Sequence, residues 1–383
     1  MKAEPGSIEQ KISDLYKMGL DSVRLNAEGA APVKDAVGEI LAIGDRAQLT
    51  GAIAGLHTAI ANPFFSVGVQ ADLMNSDINA LYISQSGLTM GDRDYYLDPE
   101  NENIRTAYKE YLGKLFRLAG IPEADIEKAV AGVMNIETKL AEKSWSNTEL
   151  RDIPAQYNPT AKAEFEKTYD AIDWPAYYKA MGIGDFDTII VTTKSSIANA
   201  NDLMKNAPLE DIRYYLAAQY LDDAASYLSD DFQQASFDFY GKAMAGQQEM
   251  KPRWKRAMSV PNGILSEAVG EMYVAKYFPA YFLQITYLIL IHIDKDQTIL
   301  RKQISRKQQS GIHHGTPVRM ISSGGFAILS AKINISIFIK ISRPFSVFFP
   351  IHDKRIGIYK IMTGIIRGIN INELYRCQIT FLK

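Results

Sequence analysis

At Pro279 the sequence changes vocabulary. The stretch MYVAKYFPAYFLQITYLILIHID, residues 272–294, passes from an alanine- and glutamate-rich text into a run of isoleucine and leucine. One packed domain is not expected to be written in both, so this break bounds every other reading. Before Ala280 there are 40 Asp and Glu against 27 Lys and Arg, a net charge of about −13. After it there are 4 against 15, about +11. The formal net charge of −2 over 383 residues is a cancellation and carries no argument about partners. Residues 280–383 hold 23 isoleucines, three alanines, one glutamate (Glu373) and no tryptophan, far from the usage of an ordinary soluble domain. Ile333, Ile335, Ile337, Ile339 and Ile341 alternate as in a half-buried strand. The surrounding segment offers that strand nothing to pair with, and an unpartnered apolar strand is an aggregation hazard. Ile, Lys, Phe, Asn and Tyr have codons rich in A and T, so out-of-frame reading produces this vocabulary. The expectation is a fold over residues 1–279 and a non-family tail, out of frame or poorly folded, over 280–383. A small fused α+β domain is the alternative.

Length and a 47% hydrophobic content suffice for two or three domains with a sizeable core. Cys377 is the single cysteine, which excludes an intramolecular disulfide and a thiolate-rich zinc site. The opening MKAEPGSIEQK lacks a basic-then-apolar leader, so nothing in the chain as written directs export. The most apolar window, residues 280–293, falls short of the ~20 residues that span a bilayer and is followed by Asp294 and Asp296. No transmembrane helix is expected, and the compartment stays open.

Within residues 1–279 the periodicity is mainly helical. Ser7 and Gln10 have capping-box spacing ahead of Ile8, Ile12 and Leu15, and Gly19 suits the end of that helix. Further helices are predicted over 33–43 and from 45 through His57, before a change of register at Asn62-Pro63. FFSVGVQADL and NALYISQSG alternate partially around Asn75-Ser76-Asp77, which predicts one β-hairpin. From Asn103 onward the pattern is almost wholly helical. Ile126, Val130, Val133 and Leu140 make one face after Pro122. Leu209, Ile212, Leu216, Tyr220, Ala224 and Tyr227 make a second after Pro208. Ser229 with Asp230 and Asp231 reads as the cap of a further helix closed by Gly246. A last helix, with Leu265, Val269, Met272 and Tyr273 inward, runs to Phe278-Pro279. The fold class expected is mainly α with one small hairpin.

Catalytic patterns are absent from the text. A zinc peptidase needs two imidazoles one helical turn apart with a glutamate between them, and none of the five histidines (57, 292, 313, 314, 352) meets that. Adjacent His313 and His314 diverge, so no metal ligand is assigned. Neither G-x-S-x-G nor G-x-x-x-x-G-K-[ST] occurs, and SSGGF at 322–326 merely contains glycine. The acid pairs Asp222-Asp223 and Asp230-Asp231 read as solvated helix faces or caps. Lys251, Arg253, Lys255 and Arg256 around Trp254 read as a local ion-pairing turn rather than a nucleic-acid contact.

Two stretches go beyond generic helix. NPFFSVGVQADLMNSDINALYISQSGLTMGDRDYYLD (62–98) and YLSDDFQQASFDFYGKAMAGQQEMKPRWKRAMSVPNGILSEAVGEMYVAKYFP (227–279) carry GL-x-x-x-DRDYYL and F-x-FY-x-x-x-x-x-G-x-x-x-x-x-PRWKR. They resemble the N-terminal region of the neprilysin and endothelin-converting-enzyme family of zinc metalloendopeptidases, bacterial oligopeptidases above all, over nearly all of residues 3–279. The resemblance implies a helical domain capping a thermolysin-like one, a cavity between them that admits peptides, and zinc in the parent protein. The family's H-E-x-x-H helix, downstream glutamate ligand and N-A-[FY] strand have no counterpart here, so no catalytic, cofactor-binding or metal residue is carried over. An export signal or anchor and an aromatic opening segment, usual in the family, are missing from this text. Asp92, Arg93, Asp94, Tyr95 and Tyr96 match the motif and read as a salt-bridged, packed loop before a substrate contact. The function expected is that of a capping-domain fragment, truncated before the catalytic domain and inactive alone, with peptides as the parent's substrates and no nucleic acid. The alternative is a non-enzymatic helical module that binds a peptide or partner; membrane association through the basic tail is weaker still. Oligomeric state is open.

Overall fold

The computed structural model describes residues 3–59 and 61–277. Backbone contacts divide the chain into a unit Met1–Tyr287 and a unit Leu288–Lys383, and all described residues belong to the first. The alternating isoleucines of 333–341, the apolar run of 280–293 and His292, His313, His314 and His352 lie outside the described residues.

Side-chain caps open the first two helices. The Ser7 hydroxyl accepts from the Gln10 amide at 3.2 Å and opens α1 (Ile8–Leu20); the Asp21 carboxylate accepts from the Arg24 amide at 3.0 Å and opens α2 (Ser22–Glu28). In α3 (Ala31–Leu41), Val33, Val37 and Ile40 form the buried stripe that helical spacing demands. The helix expected from residue 45 is split: Asp45 caps a 3₁₀ turn, Arg46–Gln48, before α4 (Leu49–Ala59).

The hairpin forms where alternation places it, β1 (Phe65–Ala71) against β2 (Asn79–Gln85), antiparallel from Phe65↔Gln85 to Ala71↔Asn79 without interruption. Next come α5 (Asp94–Leu97), α6 (Glu102–Leu118) and α7 (Glu123–Lys143), then β3 (Pro159–Ala161), α8 (Lys162–Thr168), α9 (Trp174–Ala180) and β4 (Thr188–Val191). The last two strands correct the expectation of one hairpin. They complete a four-stranded sheet of order β1-β2-β4-β3, with β4 parallel to β2 and antiparallel to β3. Three- and four-residue strands are too short to show a period of two, and Ile189, Ile190 and Val191 are all buried, which erases alternation altogether.

Helices α10 (Lys194–Asn206) and α11 (Leu209–Ala225) follow, and α11 is the centre of the body: Ile212, Tyr215, Leu216, Ala217, Ala218, Gln219 and Leu221 are buried around most of its circumference. The predicted stripe captured Ile212, Leu216 and Ala224, whereas Tyr227 lies past the helix end and is 49% exposed. Helix α7 lies against α11 at Gly132, where an added Cβ would stand 3.2 Å from the Asp211 Cα, and Asn135 Nδ2 donates to Asp211 at 2.6 Å beside that contact. Gly132→Val is therefore expected to force the helices apart and lower stability by about 1–3 kcal/mol, read from the urea midpoint. An unchanged midpoint would mean the helices do not need this approach.

Ser229 precedes α12 (Asp230–Ser236), which runs into a π-helical segment, Phe237–Met244, ended by Gly246 at φ 65°. In that segment the Phe237 ring lies over Gly241, where a Cβ would collide with it. The final helix expected is two, α13 (Arg253–Ile264) and α14 (Ser266–Tyr277). Its inward assignment is corrected: α14 buries none of its residues, and Met272 and Tyr273 are 38% and 44% exposed. Helix α13 instead packs on α1, with Ala257 against Gly19 and an Arg253 guanidinium N–H donating to the Gly19 carbonyl at 3.1 Å.

Candidate functional site

After β2 the chain enters the GLTMGDRDYYL motif through Gly87, at φ 90°, a conformation that suits glycine. The Gly87 carbonyl accepts from the Tyr215 hydroxyl at 3.0 Å and from Gln219 Nε2 at 3.3 Å, both on α11. The same Tyr215 oxygen accepts from the Phe64 amide at 3.0 Å, holding a residue whose own φ is 65°. One buried hydroxyl thus pins both ends of the segment that contains the hairpin.

Further along the motif, Thr89 Oγ1 donates to Glu137 at 2.7 Å and the Tyr96 hydroxyl donates to the other Glu137 oxygen at 2.8 Å. Gln219 Nε2 adds a third donor at 3.0 Å. The Met90 amide donates to the Tyr96 hydroxyl at 3.0 Å, closing the loop on itself. Glu137 is fully buried. Loss of hydration pushes its carboxyl up to about 7, against the opposing pull of the hydroxyl and amide donors around it. A second carboxylate, Asp222, accepts from the hydroxyls of Tyr111 at 2.6 Å and Tyr240 at 2.9 Å. Burial raises its pKa, and the two tyrosines oppose the shift. The π-helical segment is what turns Tyr240 inward to Asp222 and toward the Thr89 carbonyl, 3.4 Å away.

The remaining motif residues serve the loop. Arg93 donates to the Ser144 carbonyl at 2.8 Å, Asp92 accepts from the amides of Asp94 at 3.1 Å and Asn147 at 3.3 Å, and the Tyr95 carbonyl accepts from Arg105 at 3.0 Å. Backbone and amide partners therefore outnumber the salt bridges expected there. Asp222 is a correction as well: expected on a solvated face, it is turned in toward two tyrosines. Asp230 pairs with Arg253 and accepts from Asn26 at 2.9 Å, tying α2, α12 and α13 together. Trp254 remains 53% exposed, with the Lys255 ammonium 5.4 Å from its ring centre.

Sequence reasoning passed over Glu137, Thr89, Gln219, Tyr111 and Tyr240. Glu137 alone left a trace: it falls on the buried stripe between Val133 and Leu140, where a charged residue is out of place.

His57 is the only histidine before residue 292. Its Nε2 faces the Pro63 carbonyl at 3.2 Å and so carries the proton, leaving Nδ1 to accept from the Tyr177 hydroxyl at 2.6 Å. Burial between Phe65 and Tyr177 lowers its pKa to about 4, so the ring is neutral yet has no lone pair to spare. Among the described residues no group of three or more His, Cys, Asp or Glu side chains could hold a metal ion. These side chains do not fit a zinc centre. A surface cleft of about 190 Å³ lined by Leu41, Ile121, Pro122, Asp125, Glu210, Arg213 and Tyr214 is smaller than an ordinary ligand pocket. No helix among the described residues is long and apolar enough to cross a membrane.

A helical body with a small mixed sheet at the motif loop is an architecture shared with solved zinc metalloproteases. The open-state structure of Mycobacterium tuberculosis zinc metalloprotease Zmp1 overlays with a TM-score of 0.72 at 25% identity, covering 77% of this chain and 46% of that one. PepO from Lactobacillus rhamnosis shares the fold at a TM-score of 0.61 over 73% of this chain. Residues 1–282 match the model of peptidase family M13, and the chain belongs to that family. It is 27% identical over 268 residues to the neutral endopeptidase of Lactobacillus helveticus, covering 70% of this chain and 41% of the relative. It is 30% identical over 242 residues to human endothelin-converting enzyme 1, covering 61% and 31%. The chain thus spans less than half of the length of these curated relatives.

Proposed function

We propose that residues 3–277 act as the non-catalytic, substrate-enclosing half of a zinc-dependent endopeptidase and do not hydrolyse peptides by themselves. Family membership supports the first part, since the family is one of peptidases and the Lactobacillus helveticus relative is an endopeptidase by name. The observation that carries the second is His57: a zinc peptidase needs imidazole lone pairs, and this one is committed to Tyr177 within the core. No step through zinc is derived from these residues.

A second reading, a helical module that holds a protein partner, is favoured by α14, which buries none of its residues, and by the exposure of Trp254, Met258, Ile264 and Tyr277 on and beside it. Purified chain supplied with zinc is expected to leave an unstructured fluorogenic peptide intact. Cleavage that survives stringent purification and is abolished by a chelator would overturn the proposal, since it would require a metal centre that the described residues cannot build.

A further inference from the structure

We propose that the outer edge of β1 is a docking site for an extended peptide, which adds to the sheet as a fifth strand. Strand β1 is terminal in the order β1-β2-β4-β3, and its seven residues, FSVGVQA, contain no charge and no proline and pair with β2 without a bulge. Those are the devices by which proteins blunt an edge, and β1 has none of them. The opposite edge is blunted: β3 is three residues long and begins with Pro159, which has no N–H to offer. Apart from the β1–β2 ladder, backbone hydrogen bonding among the described residues stops at the strand's ends, where Phe65 donates to Pro63 and Asp72 donates to Ile78. Exposure rises along the strand, from buried Phe65 to exposed Gly68, Val69, Gln70 and Ala71. The half-row of amides and carbonyls facing outward is therefore open to a ligand. Only an extended backbone matches its alternation of donors and acceptors.

The neighbouring turn supplies a rigid apolar platform. The Asp72 carboxylate accepts from the amides of Met74 at 2.7 Å and Asn75 at 3.0 Å and from the Tyr157 hydroxyl at 3.0 Å, while the Leu73 amide donates to the Tyr82 hydroxyl at 3.1 Å. This turn holds Leu73, Met74 and Ile78 outward at 52%, 76% and 54% exposure, next to Val69 at 63%. Gly68 lies mid-strand at a place where a Cβ would meet nothing within 4 Å. Internal packing does not call for glycine there, and the sheet face beside it is left bare. Charge selects the occupant. Across residues 63–91 the hairpin and its flanks carry two acids, Asp72 and Asp77, and no Lys or Arg, so two such edges repel one another, whereas a basic peptide is drawn in. The occupant is thus an extended peptide with apolar side chains on one face and basic ones on the other. That choice of a peptide rests on the endopeptidase reading above.

The test uses the full chain and a capped, fluorescently labelled heptapeptide of alternating valine and lysine. Two further probes carry backbone N-methyl groups at alternate residues, one set along each edge of the peptide. Strand addition uses one peptide edge only. One methylated probe is expected to lose at least about tenfold in affinity and the other to stay within about twofold of the parent. Amides in 66–71 should gain hydrogen-exchange protection with the parent probe. Val69→Lys, on an exposed position, should cut binding by about tenfold with an unchanged melting temperature. If that variant fails to fold, the methylated pair still decides. Absence of parent binding at about 1 mM, equal binding of both methylated probes, or protection that appears on self-association without peptide would each overturn the proposal. None of these readouts involves hydrolysis, so zinc-dependent cleavage would sink the non-catalytic reading and leave the edge site standing.

Discussion

Gly87→Ala is expected to lower the stability of the body by about 3–6 kcal/mol. The added Cβ would fall onto the Tyr215 hydroxyl and within 2.6 Å of the Phe64 amide nitrogen, at a φ of 90° that a side chain rarely adopts. Backbone strain accounts for about 1–3 kcal/mol of this. Displacing Tyr215 would also break its bonds to Gly87 and Phe64 and leave buried polar groups without partners, at about 1–3 kcal/mol each. Against a typical total of about 5–15 kcal/mol, most of the protein would unfold near physiological temperature. A thermal melt by circular dichroism checks this, and a drop in melting temperature of less than about 5 °C would show that the loop yields without consequence.

Glu137 should make the stability fall as pH rises. Its folded pKa of about 7 lies above the usual carboxylate value of 4.5, so between those values the folded state binds a proton that the unfolded state has released. The contribution is fully present below pH 4.5 and is lost as pH passes through 7. From pH 5 to pH 8 it is worth about 2–3 kcal/mol. Glu137→Gln keeps an acceptor for Thr89 and Gln219 without a titrating group, so its urea midpoint should lack that decline and exceed the wild type at pH 8. The raised Asp222 and the lowered Asp230 titrate in both proteins, and the difference between them isolates Glu137. Parallel pH profiles would mean that the carboxyl is not desolvated as its surroundings require.

The helices with one wet face were legible: α3 lies where periodicity places a helix, α7 buries Ile126, Val133 and Leu140 of its expected face with Val130 half-buried, and the turn residues Asn75–Asp77 sit between the two strands of the hairpin. Legibility failed where an element has no wet face or no dry one. Helix α11 is enclosed on nearly all sides, so a single stripe understates its buried face, and α14 has apolar residues at helical spacing yet buries none of them. Strand β4 is dry on both faces and four residues long. The carboxylate network was hidden for another reason. Its members come from the motif loop, α6, α7, α11 and the π-helical segment, and no spacing within one element announces partners that meet only after folding. The motif loop itself stood out by resemblance, but what its residues hold on to did not.

The packing of α1 against α13 fixes an order of events during synthesis. Arg253 reaches back to Gly19 across 234 residues, and α1 and α2 bury no residue completely even when it has arrived. At about 5–20 residues per second, the first two helices leave the ribosome some tens of seconds before their partner exists. During that interval they have almost nothing to lie against, and an isolated helix of 13 residues is marginal in water. The start of the chain must therefore wait, unfolded and open to chaperones and proteases, until the PRWKR segment emerges to seat it.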